Sequence, residues 1–169
     1  LTWLPHTHDF GLVAGLLRPL TSGVPCTIMS PWTFLRQPLR WLKAITRLRV
    51  THSDGAAFAY QHCLHSIDPQ QCADLDLRHW QVATVGAEPI HAAILEDFAQ
   101  AFAPYGFERN TFCPGYGLAE TTLMATAQAR NRGLITRSLK VEGKTTVLTG
   151  CGHVWGDSQI VIVDPVTHQ

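Results

Sequence analysis

Short apolar, strand-like runs alternate along this chain with runs whose apolar residues recur at helical spacing, and several of the strand-like runs end on a glycine turn. Strand–helix–strand succession of this kind closes into an α/β structure, a mainly parallel sheet with helices on both faces. Leu12, Val13, Leu16, Leu17 and Leu20 mark a helix over residues 11–20, closed by Thr21-Ser22-Gly23, and residues 24–29 read as a strand. Ser30-Pro31 and Pro38 open two more helices, the second carrying Leu39, Leu42, Ile45 and Leu48. Strand-like residues 49–53 lead through Asp54-Gly55 into a helix with Phe58, Ala59, Cys63 and Leu64. Residues 81–85 form the next strand, Pro89 opens a helix with Ile94, Leu95, Phe98 and Phe102 on one side, and residues 107–113 return to the sheet. Ligands of such sheets collect at the carboxyl ends of the strands, where residues 52–55, 86–88 and 113–116 all fall.

A chain of 169 residues, 46% hydrophobic and 15% charged, is globular and long enough to bury a core. Its formal charge is zero and no basic block interrupts it, which argues against nucleic acid or an anionic membrane surface as a partner. The five cysteines, Cys26, Cys63, Cys72, Cys113 and Cys151, are odd in number and form no C-x-x-C pair, so they read as reduced thiols. The longest apolar run breaks at Arg18-Pro19, far short of the ~20 residues that cross a bilayer, and no signal-peptide pattern is present. The expected compartment is the cytoplasm. The chain opens inside a motif and without an initiator methionine, so it reads as a piece of a longer protein.

The chemistry concentrates in Tyr116-Gly117-Leu118-Ala119-Glu120-Thr121-Thr122, which follows strand-like Thr111-Phe112-Cys113 and the breaker pair Pro114-Gly115. Tyr116 offers a stacking surface for adenine, and Gly115 and Gly117 allow backbone to approach a ligand. Glu120, read as opening a helix, suits Mg²⁺, which commonly bridges a carboxylate to phosphate. Without a ligand, the same residues make a glycine-flanked turn whose acid is favoured by the helix dipole. His6-Thr7-His8-Asp9 has the look of a zinc hydrolase segment, but its spacing and the lack of a further histidine leave that site incomplete. Asp9 also suits the cap of a helix starting near Phe10. Cys113 has no partner histidine and no G-x-S-x-G elbow exists, so this thiol reads as buried and inert. Gly150-Cys151-Gly152 with Gly156 lacks the lysine of a phosphate loop and reads as structural.

Three ordered segments carry a family resemblance: Trp3-Leu4-Pro5-His6-Thr7-His8-Asp9-Phe10-Gly11-Leu12, then Gly86-Ala87-Glu88-Pro89, then Tyr116-Gly117-Leu118-Ala119-Glu120. Together they resemble the adenylate-forming (AMP-binding) superfamily, and most closely its fatty-acyl-AMP ligases, which read W-L-P-x-x-H-D-x-G-L, N-G-A-E-P and Y-G-L-A-E. The resemblance spans essentially the whole chain. It implies that Gly86, Ala87, Glu88 and Pro89 wrap adenine, that Tyr116 covers it, and that Gly117, Leu118, Ala119, Glu120 and Thr121 complete the nucleotide site. Glu120 is then the magnesium carboxylate and, with His8, a catalytic residue. His8 and Asp9 are placed where acyl chain meets phosphate, and Gly55, Phe58 and Tyr60 border the acyl tunnel.

The implied reaction joins a fatty acid to ATP, giving acyl-AMP and pyrophosphate, with the acyl group then passed to the phosphopantetheine of an acyl carrier protein. Transfer to CoA is the close alternative, and a non-catalytic adenylate-binding module is a third. An ordered insertion between Leu134 and Gly150 favours the first. The family's phosphate loop, ribose-binding Asp and mobile-domain Lys do not appear in these residues. They are therefore expected to be the central part of an AMP-binding domain, a fragment of the large N-terminal domain, and to be inactive alone. Departures matter as well: Asp54-Gly55-Ala56-Ala57-Phe58-Ala59-Tyr60 stands where the family has G-G-P-N-F-A-Y, so a carboxylate enters the acid's surroundings, and Val85 replaces Asn before Gly86.

Overall fold

The computed structural model describes residues 1–141, 143–154 and 156–167. Asp9 caps the first helical run, its carboxylate accepting the Phe10 N–H at 2.8 Å. Phe10–Leu17 is wound in wide π geometry and passes directly into α1 (Arg18–Ser22), which ends at Gly23 with φ +64°. Small residues let this run crowd the amino-terminal segment: a Cβ on Gly11 would stand 2.2 Å from the Pro5 carbonyl oxygen. The strand expected over residues 24–29 reduces to a single parallel bridge, Thr2–Ile28. Pro25 brings no donor there, and Thr2 supplies the available pairing by donating to Thr27 and accepting from Met29.

Pro31 starts α2 (Pro31–Arg36), and Pro38 precedes α3 (Leu39–Leu48), which Arg49 terminates in the left-handed region at φ +50°. That reversal removes Arg49 from the strand expected over residues 49–53, which survives as the isolated parallel bridges His52–Val82 and Gly55–Val85. Next come α4 (Ala57–Ser66), β1 (Ala83–Val85), α5 (Ala92–Phe102), β2 (Phe112–Gly117), β3 (Met124–Ala127), β4 (Thr136–Val141), β5 (Lys144–Thr149) and β6 (His153–Val154).

The main sheet has the order β1-β2-β3-β6, with β1 and β2 parallel and the β2–β3 and β3–β6 pairs antiparallel. The parallel part expected from alternation thus covers residues 52–55, β1 and β2, and the sheet turns antiparallel beyond them. Pro114-Gly115, expected to break the strand, lies inside β2. Residues 112–114 pair with β1 and residues 115–117 with β3, so the missing proline donor falls where the strand changes partners. α5 begins at Ala92 rather than Pro89, because residues 86–91 are held in a non-helical turn: Ala87 is left-handed at φ +70°, Glu88 reaches back to α4 and the Ile90 carbonyl accepts from Thr149 Oγ1 at 2.7 Å. The strand expected from residue 107 starts only at Phe112. Residues Arg109–Thr111 form a 3-10 turn from which Arg109 Nε donates to Glu96 at 2.8 Å. Residues 160–164 have no ladder partner among the described residues.

The core between sheet and helices is aromatic. Trp41, Tyr60, Trp80, Phe98 and Phe112 are all fully or almost fully buried and meet mostly edge to face, Tyr60 lying 5.7 Å from Trp41 and 5.0 Å from Phe98. Trp41 donates to Ser53 Oγ at 2.8 Å and Ser53 donates on to Leu1 O, tying α3 and the amino terminus to the sheet end. Trp80, in a loop the sequence pattern leaves unassigned, donates to Val82 O at 3.0 Å beside β1.

Candidate functional site

Pairing of Gly55 with Val85, and of Val85 with Pro114, places three strand ends side by side. The chain leaves each of them at a turn, and a cleft of about 380 Å³, open to solvent, lies at this edge. It is lined by His8, Asp9 and Phe10 from the first segment, by residues 84–87 from the second, by Gly115, Tyr116 and Gly117 from the third, and by Leu123 and Met124. The turns at residues 86–88 and 113–116 therefore meet, as expected from their positions at strand ends, and His8 and Asp9 join them from the amino-terminal segment, whereas residues 52–55, expected at the same rim, are not among the cleft's lining. Leu123 and Met124 carry no motif signal and became neighbours only through the antiparallel return of β3.

Tyr116 presents its ring to the opening and is 55% exposed, so a planar ligand has access to it. The glycines serve mainly the protein's own backbone. A Cβ on Gly86 would stand 3.0 Å from Gly115 O, and one on Gly117 would stand 1.7 Å from Leu123 O, where β2 carries a bulge. Ala87 follows Gly86 with φ +70°, a left-handed conformation that turns the chain sharply at the cleft rim.

His8 Nδ1 and Asp9 Oδ1 are 2.5 Å apart, and both accept the Phe10 N–H, at 3.1 Å and 2.8 Å, so the pair is fixed at the start of the π run. Asp9 thus has the structural role read for it while remaining on the cleft wall. Glu88 is exposed, and its carboxylate accepts the Phe58 N–H at 2.6 Å. It caps α4 from across the chain, since Ala56 offers no side-chain cap of its own. Pro89, next in the chain, is exposed as well.

Glu120 does not open a helix. Ala119–Thr121 form one 3-10 turn after Leu118, Thr122 reverses the chain at φ +70°, and β3 follows at once. A full helix is excluded because Gly117 must lie against Leu123 for β3 to pair with β2. Glu120 and Thr121 are exposed on this turn, outside the cleft lining, and among the described residues no group of three or more His, Cys, Asp or Glu side chains is arranged to hold a metal. A lone exposed carboxylate near the cleft fits Mg²⁺ only where a phosphate-bearing ligand supplies further oxygens.

Of the residues assigned to the acyl side, Gly55 is buried against Trp3, Trp41 and Ala59, and Phe58 is half-exposed beside Trp3. Tyr60 lies in the aromatic core, its hydroxyl without a partner, and burial pushes its phenol well above the usual range. Cys113 is buried, with its thiol pushed up by burial, in keeping with the inert reading, and all five cysteines are free. The stretch between Leu134 and Gly150 is the β4–β5 hairpin, anchored by Gly150 N–H to Ile135 O and by Thr149 to Ile90; residue 142 at its turn is outside the described residues. No helix of the described residues is long and apolar enough to cross a membrane.

Known proteins match this geometry closely. The chain is 42% identical to the medium-chain fatty acid–[acyl-carrier-protein] ligase JamA of Moorena producens and 36% identical to the corresponding ligase TtuA of Teredinibacter turnerae. Each match takes in 98% of this chain but only 31% and 28% of those proteins. The crystal structure of a fatty acid AMP ligase from Legionella pneumophila superposes with a TM-score of 0.93 at 36% identity, covering 98% of this chain and 31% of that one. The sequence profile of the AMP-binding enzymes matches residues 1–169 from end to end, and the chain belongs to that family.

Proposed function

We propose that these residues are the central part of the AMP-binding domain of a longer fatty acid ligase. It would convert a fatty acid and ATP into acyl-AMP and pyrophosphate, and pass the acyl group to the phosphopantetheine of an acyl carrier protein. The single observation that carries the reading is the meeting of His8-Asp9, residues 84–87 and residues 115–117 around one cleft. Two relatives named as acyl-carrier-protein ligases, and the ordered β4–β5 hairpin between Leu134 and Gly150, support the carrier protein over CoA as acceptor.

In this reading adenine lies along Gly86, Ala87, Glu88 and Pro89 with the Tyr116 ring over it, and Gly117, Leu118, Ala119 and Thr121 carry the chain past the ribose and phosphates. Gly55, Phe58 and Tyr60 lie toward the acyl chain. His8, beside Asp9, stands where the carboxyl group of the acid would meet phosphate. Glu120 would hold Mg²⁺, which supplies charge neutralisation at the phosphates. Phosphate loop, ribose Asp and lid Lys are proposed to lie elsewhere in the full-length protein, and cytoplasm is the proposed compartment.

The test uses the full-length protein and measures pyrophosphate release at varied ATP and Mg²⁺. Glu120→Gln keeps shape but removes charge, and adenylate formation is expected to fall by ~10²–10³-fold. Tyr116→Ala is expected chiefly to weaken ATP binding, by ~1–3 kcal/mol if base stacking is a guide. Near-wild-type turnover of Glu120→Gln at ordinary magnesium sinks the metal role, and an unchanged ATP KM for Tyr116→Ala sinks the adenine site.

A further inference from the structure

Asp54 is 3% exposed, yet only one of its carboxylate oxygens has a partner. Oδ2 accepts from Arg18 Nη2 at 2.9 Å, whereas Oδ1 accepts from nothing. A buried carboxylate oxygen without a donor is costly, and native proteins retain such a group where something other than the fold uses it.

The position of that oxygen follows from the sheet. Gly55 N–H donates to Thr84 O, Gly55 bridges Val85, and Thr84 pairs with Cys113, so Asp54, Thr84 and Cys113 occupy one row across adjoining strands. Thr84 lines the cleft that also holds His8 and Asp9. Asp54 is thus on the strand segment next to Thr84, about 4.8 Å away in backbone spacing, behind the cleft lining rather than part of it. Burial, and after it the charge of Asp54, pushes up the Tyr60 phenol and the Cys113 thiol. Two further buried polar atoms without partners border the same place: the Tyr60 hydroxyl, and the Trp3 indole N–H, whose ring lies 3.6 Å from the Cβ position of Gly55. A purely alkyl occupant satisfies none of these groups.

Resting on the ligase reading, we propose that the Arg18–Asp54 pair is a polar recognition point in the acid's pocket, selecting carboxylic acids that bear a hydroxyl close to the carboxyl group over unsubstituted alkyl acids. Arg18 already neutralises the carboxylate, so a neutral hydroxyl suits Oδ1 better than an ammonium, which would bury a charge with no partner of its own. Polar sites built in this way reject an analogue lacking the hydroxyl far more strongly than an apolar pocket discriminates by one methylene. The location near His8 and Asp9 sets the hydroxyl within the first few carbons of the acid.

The experiment compares decanoic and 3-hydroxydecanoic acid in acid-dependent ATP–pyrophosphate exchange by the full-length protein. The wild type is expected to prefer the hydroxy acid by about tenfold or more in kcat/KM, the size of one hydrogen bond to a charged acceptor. Asp54→Gly is expected to abolish or reverse the preference mainly through loss on the hydroxy acid, and Asp54→Asn to reduce it. Arg18→Gln/Asp54→Gly removes both charges together, so the comparison stands even where Arg18, half-exposed and left without its carboxylate, disturbs folding. Equal use of the two acids by the wild type, or a ratio unchanged in the double variant, overturns the inference while leaving the ligase reading intact. No exchange with any straight-chain or hydroxylated acid overturns both.

Discussion

Single positions around the cleft are constrained more by the protein's own backbone than by a ligand. Gly117 is the sharpest case, since any Cβ there meets the Leu123 carbonyl at 1.7 Å. That contact involves backbone on both sides, in a bulge where β3 must return to β2, and no side-chain rotation relieves it. Gly117→Ala is therefore expected to destabilise the protein by about 3 kcal/mol, at the upper end of overpacking costs. Urea unfolding measures it; a shift below about 0.5 kcal/mol, the level of an ordinary surface change, shows that the bulge is not needed. Asp54 illustrates the opposite constraint, a residue that packing alone does not explain.

Elements are held together by caps and bridges exchanged across long sequence distances. α4 has no local side-chain cap at Ala56, and Glu88, thirty residues on, supplies one by accepting the Phe58 N–H. The same bond draws the residues 86–89 loop onto the first turn of α4, so the helix proposed to border the acid and the loop proposed for adenine are mechanically joined. Glu88→Ala is expected to cost about 1 kcal/mol, the usual worth of a helix cap with its dipole contribution. Thermal unfolding gives the total, and faster amide exchange at Phe58 than at Tyr60 locates it; unchanged exchange at Phe58 means that the cap is idle.

At the scale of the whole molecule, stability rests on an aromatic core that also buries ionisable groups in their neutral forms. Burial pushes the Tyr60 phenol and the Cys63 and Cys113 thiols above their ordinary values of 10.0 and 9.0. The unfolded chain loses these protons first as pH rises, so their contribution is complete below the unfolded values and is lost progressively above them. At pH 10.5 the fully buried Cys63 thiol alone is expected to remove about 2 kcal/mol relative to pH 8. Urea midpoints at the two pH values check the sign. Cys63→Ala, which lacks the thiol, is expected to show a smaller alkaline loss, and an equal loss assigns the effect elsewhere.

What the sequence by itself determined were the features written in local chemistry. These were the existence, though not the bounds, of the helical run after Asp9 and of α2, α3 and α4, the α/β class, and the meeting of the turns at residues 86–88 and 113–116. Apolar spacing, helix-opening prolines and glycine turns act within a few residues, and the pattern records them directly. What only the tertiary structure decided depended on partners distant in sequence. Residues 24–29 and 49–53 have strand-like composition but too few neighbours to pair with, so they remain single bridges. Glu120 looks like the start of a helix, yet the requirement that β3 return against Gly117 leaves it on one 3-10 turn. The caps and ion pairs joining Glu88 to Phe58 and Arg18 to Asp54 are equally invisible in one dimension, because a side chain's partner is set by which backbones the fold brings within a hydrogen bond of it.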